Sequence, residues 1–145
     1  MKHAIRNLKK FQRAQSGASA VEFAMILPSF LLIVFGIVMF GSYLAVVHGV
    51  QQLAAEAARS SVAGLTEGER SSLASNYVTS HVNSYPLIAA NNLTVNAATS
   101  GSDANVFVVT LNYNASNMFI YSLPSFVPAP PSTIVRSAAI PRGGY

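Results

Sequence analysis

Side chains that could carry out catalysis or bind a metal are few in this chain and scattered along it. The 145 residues include no cysteine and one aspartate, Asp103, so thiol catalysis and zinc sites with cysteine ligands are excluded. The three histidines, His3, His48 and His81, do not have the spacing of metal ligands. No phosphate-binding glycine loop occurs, and no serine lies in a G-x-S-x-G turn. This inventory predicts a protein that is not an enzyme and uses no cofactor or metal.

Among the four glutamates, Glu22 has the most unusual position. It directly precedes Phe23–Val47, a run of 25 residues without Asp, Glu, Lys, Arg or His. As a helix rising about 1.5 Å per residue, this run is about 37 Å long, enough to cross a hydrocarbon core of about 30 Å with some tilt. The sequence therefore predicts one transmembrane helix over about 23–47. Because an ionised carboxylate is costly in hydrocarbon, Glu22 at its edge calls for an explanation.

The basic residues predict the orientation of this helix. Five of the nine precede the apolar run, and the chain from Ala18 onward is close to neutral. A basic block beside a span is typical of the cytoplasmic side, so we expect a cytoplasmic N-terminus and an exported C-terminal part. Binding of nucleic acid by this block is disfavoured, because no further basic or aromatic surface supports it. The apolar run is also longer than the roughly 7–15 residues of a secretory signal peptide.

The helical pattern continues beyond the apolar run. Apolar residues recur at i, i+3, i+4 and i+7 as far as Leu65, with polar residues on the other side. One helix is therefore expected from about Ala18 to about Ala63, roughly 70 Å long, with Gly64 as its stop.

Two features within this helix concern its packing. Gly41, Ala45 and Gly49 recur every four positions, as in small-x-x-x-small helix contacts. The sequence leaves open whether this stripe packs on its own domain or against other helices. Pro28 removes one backbone hydrogen bond and is expected to kink or loosen the span locally.

The remaining chain predicts a small exported domain over 65–145. The sequence TEGE at 66–69 has the capping-box pattern and begins a second helical stretch, which Pro86 ends. The apolar period then falls to two, and strands are expected near 93–97, 106–113 and 133–140. The fold class is therefore α+β, with a long N-terminal helix, a second helix and a short antiparallel sheet of about three strands. His81 in the second helix is expected to be a packed or half-exposed residue.

The segment Met118–Pro131 is apolar but contains four prolines. It can be neither a regular helix nor a central strand. Three interpretations are open: it folds over the core, lies on the membrane surface, or presents a partner site. The first is favoured.

The residues "GASAVEFAMILPSFLLIVFG" at 17–36 resemble the cleavage region of type IV prepilins. The closer likeness is to the TadE-like pseudopilins of tight-adherence (Tad, or Flp) pilus systems, including Glu-Phe-Ala and the proline that follows. "VQQLAAEAARSSVAG" at 50–64 is similar to the Ala-Ala-Arg segment of that family. Phe23 stands where Flp-type pilins usually have Tyr, which favours the TadE-like branch. The chain is also long for an Flp major pilin and lacks the large extra domain of TadG-type relatives.

The resemblance implies that a prepilin peptidase removes the basic leader 1–17 by cutting after Gly17. The mature chain would begin at Ala18 and have 128 residues, 17 fewer than 145. Glu22 lies one helical turn from the new amine and could pair with it, or with that of a neighbouring subunit. The alternative is a glutamate that only stabilises the positive end of the helix.

These expectations combine into a minor pseudopilin of a Tad/Flp type IV pilus that supports pilus assembly and adhesion. It would be a single-pass protein of the bacterial inner membrane with a periplasmic C-terminal domain. Its expected partners are the prepilin peptidase, other pilins or pseudopilins, the inner-membrane assembly platform and membrane lipid, but no nucleic acid. Two alternatives are an uncleaved single-pass protein with a periplasmic binding domain and a pseudopilin of a secretion system. The sequence leaves open whether the protein enters an extracellular pilus or stays at its base.

Overall fold

The structure is a computed structural model that describes residues 15–124 and 127–142, with side chains described from residue 17 onward. The predicted leader therefore lies outside the described residues as far as residue 14. In the part of the chain that the structure describes, two α-helices and three β-strands form in the order α1, α2, β1, β2, β3. Their bounds are Gln15–Ser60 for α1, Glu67–His81 for α2, Leu93–Thr99 for β1, Val106–Asn114 for β2 and Thr133–Pro141 for β3. The predicted α+β fold is confirmed.

The chain divides into two compact units, one ending at Val38 and the other beginning at Met39. In the first unit, α1 runs through Pro28 without interruption. Its apolar side chains are solvent-exposed: Met25 is 78% and Ile37 69% accessible. Such a surface is unusual for a helix in water and normal for one that faces lipid. By length and composition, α1 can cross a membrane.

The second unit has a hydrophobic core to which the last turns of α1 contribute. Val46, Val50 and Leu53 of α1 are fully buried, in the same cluster as Phe107 and Leu111 of β2. Small side chains add to this face of α1 and allow close packing; these are Ala54, Ala57 and Ala58. Met39 and Val46 belong to the predicted span, yet their side chains are buried in this unit.

The sheet is antiparallel, with β2 in the centre and β1 and β3 at the edges. Burial alternates along β2, whose core-facing residues are Phe107, Val109, Leu111 and Tyr113. This alternation agrees with the apolar period of two in the sequence, because side chains of a strand alternate between its two sides.

The second helix begins at the predicted capping box. Thr66 Oγ1 accepts a hydrogen bond from the Glu69 backbone N–H at 3.2 Å, and Glu69 Oε2 accepts one from the Thr66 N–H at 3.1 Å. The hydrogen bond from Thr66, followed by that from Leu65, lowers the pKa of Glu69. The α-helix ends at His81 and a 3₁₀ turn, Val82–Ser84, follows before Pro86.

The proline-rich segment covers part of the core, as the favoured interpretation predicted. It begins with a 3₁₀ turn, Phe119–Ser122, which buries Ile120 almost completely. The Pro131 carbonyl accepts hydrogen bonds from the Tyr43 hydroxyl at 3.1 Å and the Tyr121 hydroxyl at 2.8 Å. The segment is thus tied directly to α1.

Candidate functional site

The predicted processing and assembly residues lie together in the first described turns of α1. Gly17, Ala18, Glu22 and Phe23 are all helical and exposed. A Cβ atom added to Gly17 would meet nothing within 4 Å. Ala18 and Glu22 are four residues apart and therefore lie on the same face of the helix.

Cleavage after Gly17 would be compatible with the hydrogen bonding at a helix N-terminus. The first four N–H groups of a helix have no acceptor within it, so removal of the preceding residues leaves the rest of α1 intact. The new α-amine at Ala18 would add a positive charge to the positive end of the helix dipole. The Glu22 carboxylate, one turn away, has the opposite charge.

The stripe of small residues divides into two parts. Gly49 is buried: a Cβ atom there would lie 3.0 Å from Ile88 Cδ1 and 3.2 Å from Tyr85 Cδ1. By contrast, Ala45 is exposed, and a Cβ atom on Gly41 would meet nothing within 4 Å. Gly49 therefore packs within its own unit, whereas Gly41 and Ala45 present an open surface.

A polar cluster that the sequence analysis did not identify connects α1 to the following chain. Glu56 Oε2 accepts hydrogen bonds from the Tyr77 hydroxyl at 2.8 Å and the Tyr85 hydroxyl at 3.5 Å. Gln52 Nε2 donates to Glu56 Oε1 at 3.1 Å. The bond from Tyr77 is the main cause that lowers the pKa of Glu56, and the same bond raises the pKa of Tyr77. His81 stacks on Tyr77 with ring centres 4.0 Å apart.

This cluster joins α1 to α2 and to the turn that follows α2. Tyr77 and Tyr85 lie 21 and 29 positions from Glu56 in the chain, so no local sequence pattern predicts the cluster. The one sequence feature related to this cluster is the position of Glu56 on the polar side of α1. His81 was expected to be packed or half-exposed; its ring stacks on Tyr77, but the residue is exposed. Within residues 17–124 and 127–142, no group of three or more His, Asp or Glu residues could hold a metal ion.

The fold and the exposed apolar helix define a class of protein: a small α+β unit on a helix compatible with a single membrane span. A comparison with protein families narrows the class. The family model described as TadE-like protein matches residues 17–59, which include the candidate processing and assembly residues. The resemblance predicted from the sequence is confirmed over this segment, and the match supports a protein associated with a Tad pilus. No curated protein and no solved structure matched the chain.

Proposed function

We propose that the protein is a minor pseudopilin of a Tad/Flp pilus, matured by a prepilin peptidase, that supports pilus assembly and adhesion. The observation that carries this proposal is the TadE-like match over 17–59, a segment that begins at Gly17 and covers most of α1. The exposed apolar surface between Val21 and Val38 is consistent with it, because such a helix is stable in lipid or among other apolar helices.

The proposed orientation follows from charge. The basic leader stays in the cytoplasm, α1 spans the inner membrane, and the α+β unit lies in the periplasm. The peptidase cuts between Gly17 and Ala18, and the assembly platform then brings the subunit together with other pilins. Glu22 pairs with an α-amine, its own or that of a neighbour, at the boundary of the hydrocarbon. Opposite charges attract strongly in such a low-dielectric environment.

Processing is tested by N-terminal sequencing and intact mass of the protein from membranes, with and without the cognate peptidase. We expect a chain beginning at Ala18 only when the peptidase is present, and the full chain for Gly17→Val. A Gly36→Ala variant is the matched control, since Gly36 lies in the same helix outside the cleavage region. Retention of residues 1–17 in both strains would contradict the proposal and favour an uncleaved membrane anchor.

The role of Glu22 is tested separately from processing. Glu22→Gln keeps the size of the side chain but removes its charge, so cleavage should continue while pilus formation falls at least tenfold, since about 1.4 kcal/mol of lost pairing is a factor of ten. Piliated cells are counted by electron microscopy, and Ser29→Ala, an exposed change in the same helix, serves as the control. Normal piliation in the Glu22→Gln strain would show that the charge is dispensable.

A further inference from the structure

The two edges of the sheet are not equally protected. In an antiparallel ladder, the backbone groups of an edge strand point alternately to the neighbouring strand and outward. On β3 the outward carbonyl of Ser137 accepts a hydrogen bond from Gln51 Nε2 of α1 at 3.2 Å. The carbonyl of Val135 accepts one from the Arg136 side chain at 3.0 Å. Pro141 ends β3 and has no N–H group, so side chains and a proline protect this edge from further pairing.

The outer edge of β1 lacks this protection. The Thr99 N–H points away from β2, since it donates to Glu67 Oε1 of α2 at 3.0 Å. By the same alternation, the N–H and C=O groups of Val95 and Ala97 also point outward. In the part of the chain that the structure describes, no hydrogen bond outside the ladder involves these groups. The strand also has no proline and no charged side chain, which are the features that commonly protect an edge.

A groove lies between β1 and α2. Its volume is about 270 Å³, and its lining includes Val78, Thr79 and Val82 of α2 with Leu93 and Val95 of β1. None of the described residues that line it is charged. Pockets for drug-sized ligands have about 300–1,000 Å³, so this groove is too small for such a ligand and suits apolar side chains of a peptide.

The position of α2 favours one extended segment over a second copy of the chain. The helix packs against β1 and runs beside it, from Glu67 near Thr99 to Val82 near Leu93. In a two-fold dimer with antiparallel β1 strands, these strands would lie about 4.8 Å apart, whereas two α2 helices on the same face need about 8–10 Å between their axes.

The size of the edge leads to the same occupant. The seven residues of β1 extend about 24 Å, and a helix is about 10 Å wide, which gives roughly 240 Å². A stable dimer needs about 800 Å² from each partner. The edge is therefore large enough for one added strand but too small to hold two folded units together.

We propose that the outer edge of β1 binds an extended, uncharged segment of a partner protein, which adds a fourth strand to the sheet. The backbone of this segment pairs with the open groups of Val95 and Ala97, and its apolar side chains enter the groove against Val78 and Val82. Because neither β1 nor the groove is charged, binding should not change with salt. Cleavage and membrane insertion are not required, since α2 and β1 both belong to the unit that begins at Met39.

Two exposed positions on α2 provide a matched pair of variants for the test. Thr79 lines the groove, whereas Ser80 does not. Both hydroxyls donate to the carbonyl four residues earlier, so each substitution removes the same kind of bond. Thr79→Trp fills the groove and Ser80→Trp leaves it open. Circular dichroism checks that both variants keep their fold.

The probe is a fluorescently labelled, acetylated peptide of alternating valine and threonine, and its binding to the full chain in detergent is followed by fluorescence anisotropy. We expect saturable binding to the wild-type chain and to Ser80→Trp, and roughly tenfold weaker binding to Thr79→Trp, about the effect of losing one or two backbone hydrogen bonds. The same peptide with methylated backbone nitrogens cannot donate hydrogen bonds and should not bind.

Each of the other outcomes would overturn the proposal. Equal binding of the methylated peptide would indicate apolar contact without strand pairing. Equal weakening in Thr79→Trp and Ser80→Trp would place the peptide elsewhere, and absence of saturable binding to the wild-type chain would exclude strand addition. Sedimentation of the peptide-free chain tests the remaining occupant: a dimer that becomes a monomer on Thr79→Trp would show that a second copy covers the edge.

Discussion

At the scale of single residues, Glu56 shows how a carboxylate on a helix can hold two segments together. Its hydrogen bond from Tyr77 joins α1 to α2, and the contact of Tyr85 with the same oxygen adds the turn that follows. These bonds favour the ionised carboxylate, and therefore the pKa of Glu56 is lower in the folded protein than in the unfolded chain. The stabilisation is complete above the ordinary pKa of about 4.5 and is lost as the pH falls through the lower folded pKa.

The lowered pKa of Glu56 predicts that the stability of the protein depends on pH. In Tyr77→Phe the ring remains but the donor is lost, so the pKa of Glu56 should move back toward its ordinary value. The thermal midpoint of the full chain in detergent, followed by circular dichroism between pH 6 and pH 3, should then fall less steeply with acid. His81→Phe, which keeps an aromatic ring beside Tyr77, is the control. An unchanged pH slope in Tyr77→Phe would mean that this bond contributes nothing to stability.

At the scale of elements, the connection between α1 and α2 depends on a close approach of backbones. The 3₁₀ turn Ser61–Ala63 ends α1, and Gly64 follows in an extended conformation. A Cβ atom on Gly64 would lie 2.7 Å from the Arg70 backbone nitrogen, closer than real contacts permit. The Gly64 carbonyl also accepts a hydrogen bond from Arg70 Nε at 2.9 Å. Glycine is therefore required there by space.

Two alanine substitutions in this connection should have opposite effects. Gly64→Ala forces the start of α2 away from α1 and should cost about 1–3 kcal/mol of unfolding free energy, as overpacking usually does. Gly68→Ala has open space around its Cβ and lies in α2, so it should add about 0.4–1 kcal/mol by restricting the unfolded chain. Denaturant unfolding of the full chain in detergent measures both. Equal effects of the two substitutions would contradict the steric argument.

At the scale of the whole molecule, one helix carries two kinds of surface. From Met39 onward it contributes side chains to a core with the sheet, whereas before Val38 its apolar side chains are exposed. The part from Met39 onward belongs to a folded unit, whereas the part before it has an apolar surface suited to lipid or to other helices. The small-residue stripe is divided within the second unit, where Gly49 packs against Ile88 and Tyr85 while Gly41 is open.

This division predicts that two similar substitutions act at different levels. Gly49→Leu collides with Ile88 and Tyr85, so the folded unit should lose about 1–3 kcal/mol of stability and the protein level should fall. Gly41→Leu meets open space, so stability should be unchanged while close helix contacts in the pilus are blocked. Immunoblots of membranes and counts of piliated cells separate the two effects. Normal piliation with Gly41→Leu would exclude Gly41 from the assembly surface.

The sequence by itself determined the elements whose signals are local. The extent of α1, the capping box at Thr66 and the core face of β2 follow from hydrophobic period and from side chains within a few residues of each other. The likeness to TadE-like proteins was also visible, because it occupies one continuous segment. The end of α2 was placed too late: Pro86 marked the limit, but the α-helix ends at His81 and a 3₁₀ turn continues the chain.

Only the tertiary structure decided which of these surfaces are used internally. The bond from Tyr43 to the Pro131 carbonyl joins residues 88 positions apart, and Glu56 meets Tyr77 across 21. Contacts between residues so far apart in the chain produce no periodic pattern in the sequence. The same holds for Gly49 and Gly41, which have the same spacing pattern but differ in what packs against them. Sequence patterns report the preference of each segment for helix, strand or membrane, whereas contacts between distant residues arise only when those segments share one core.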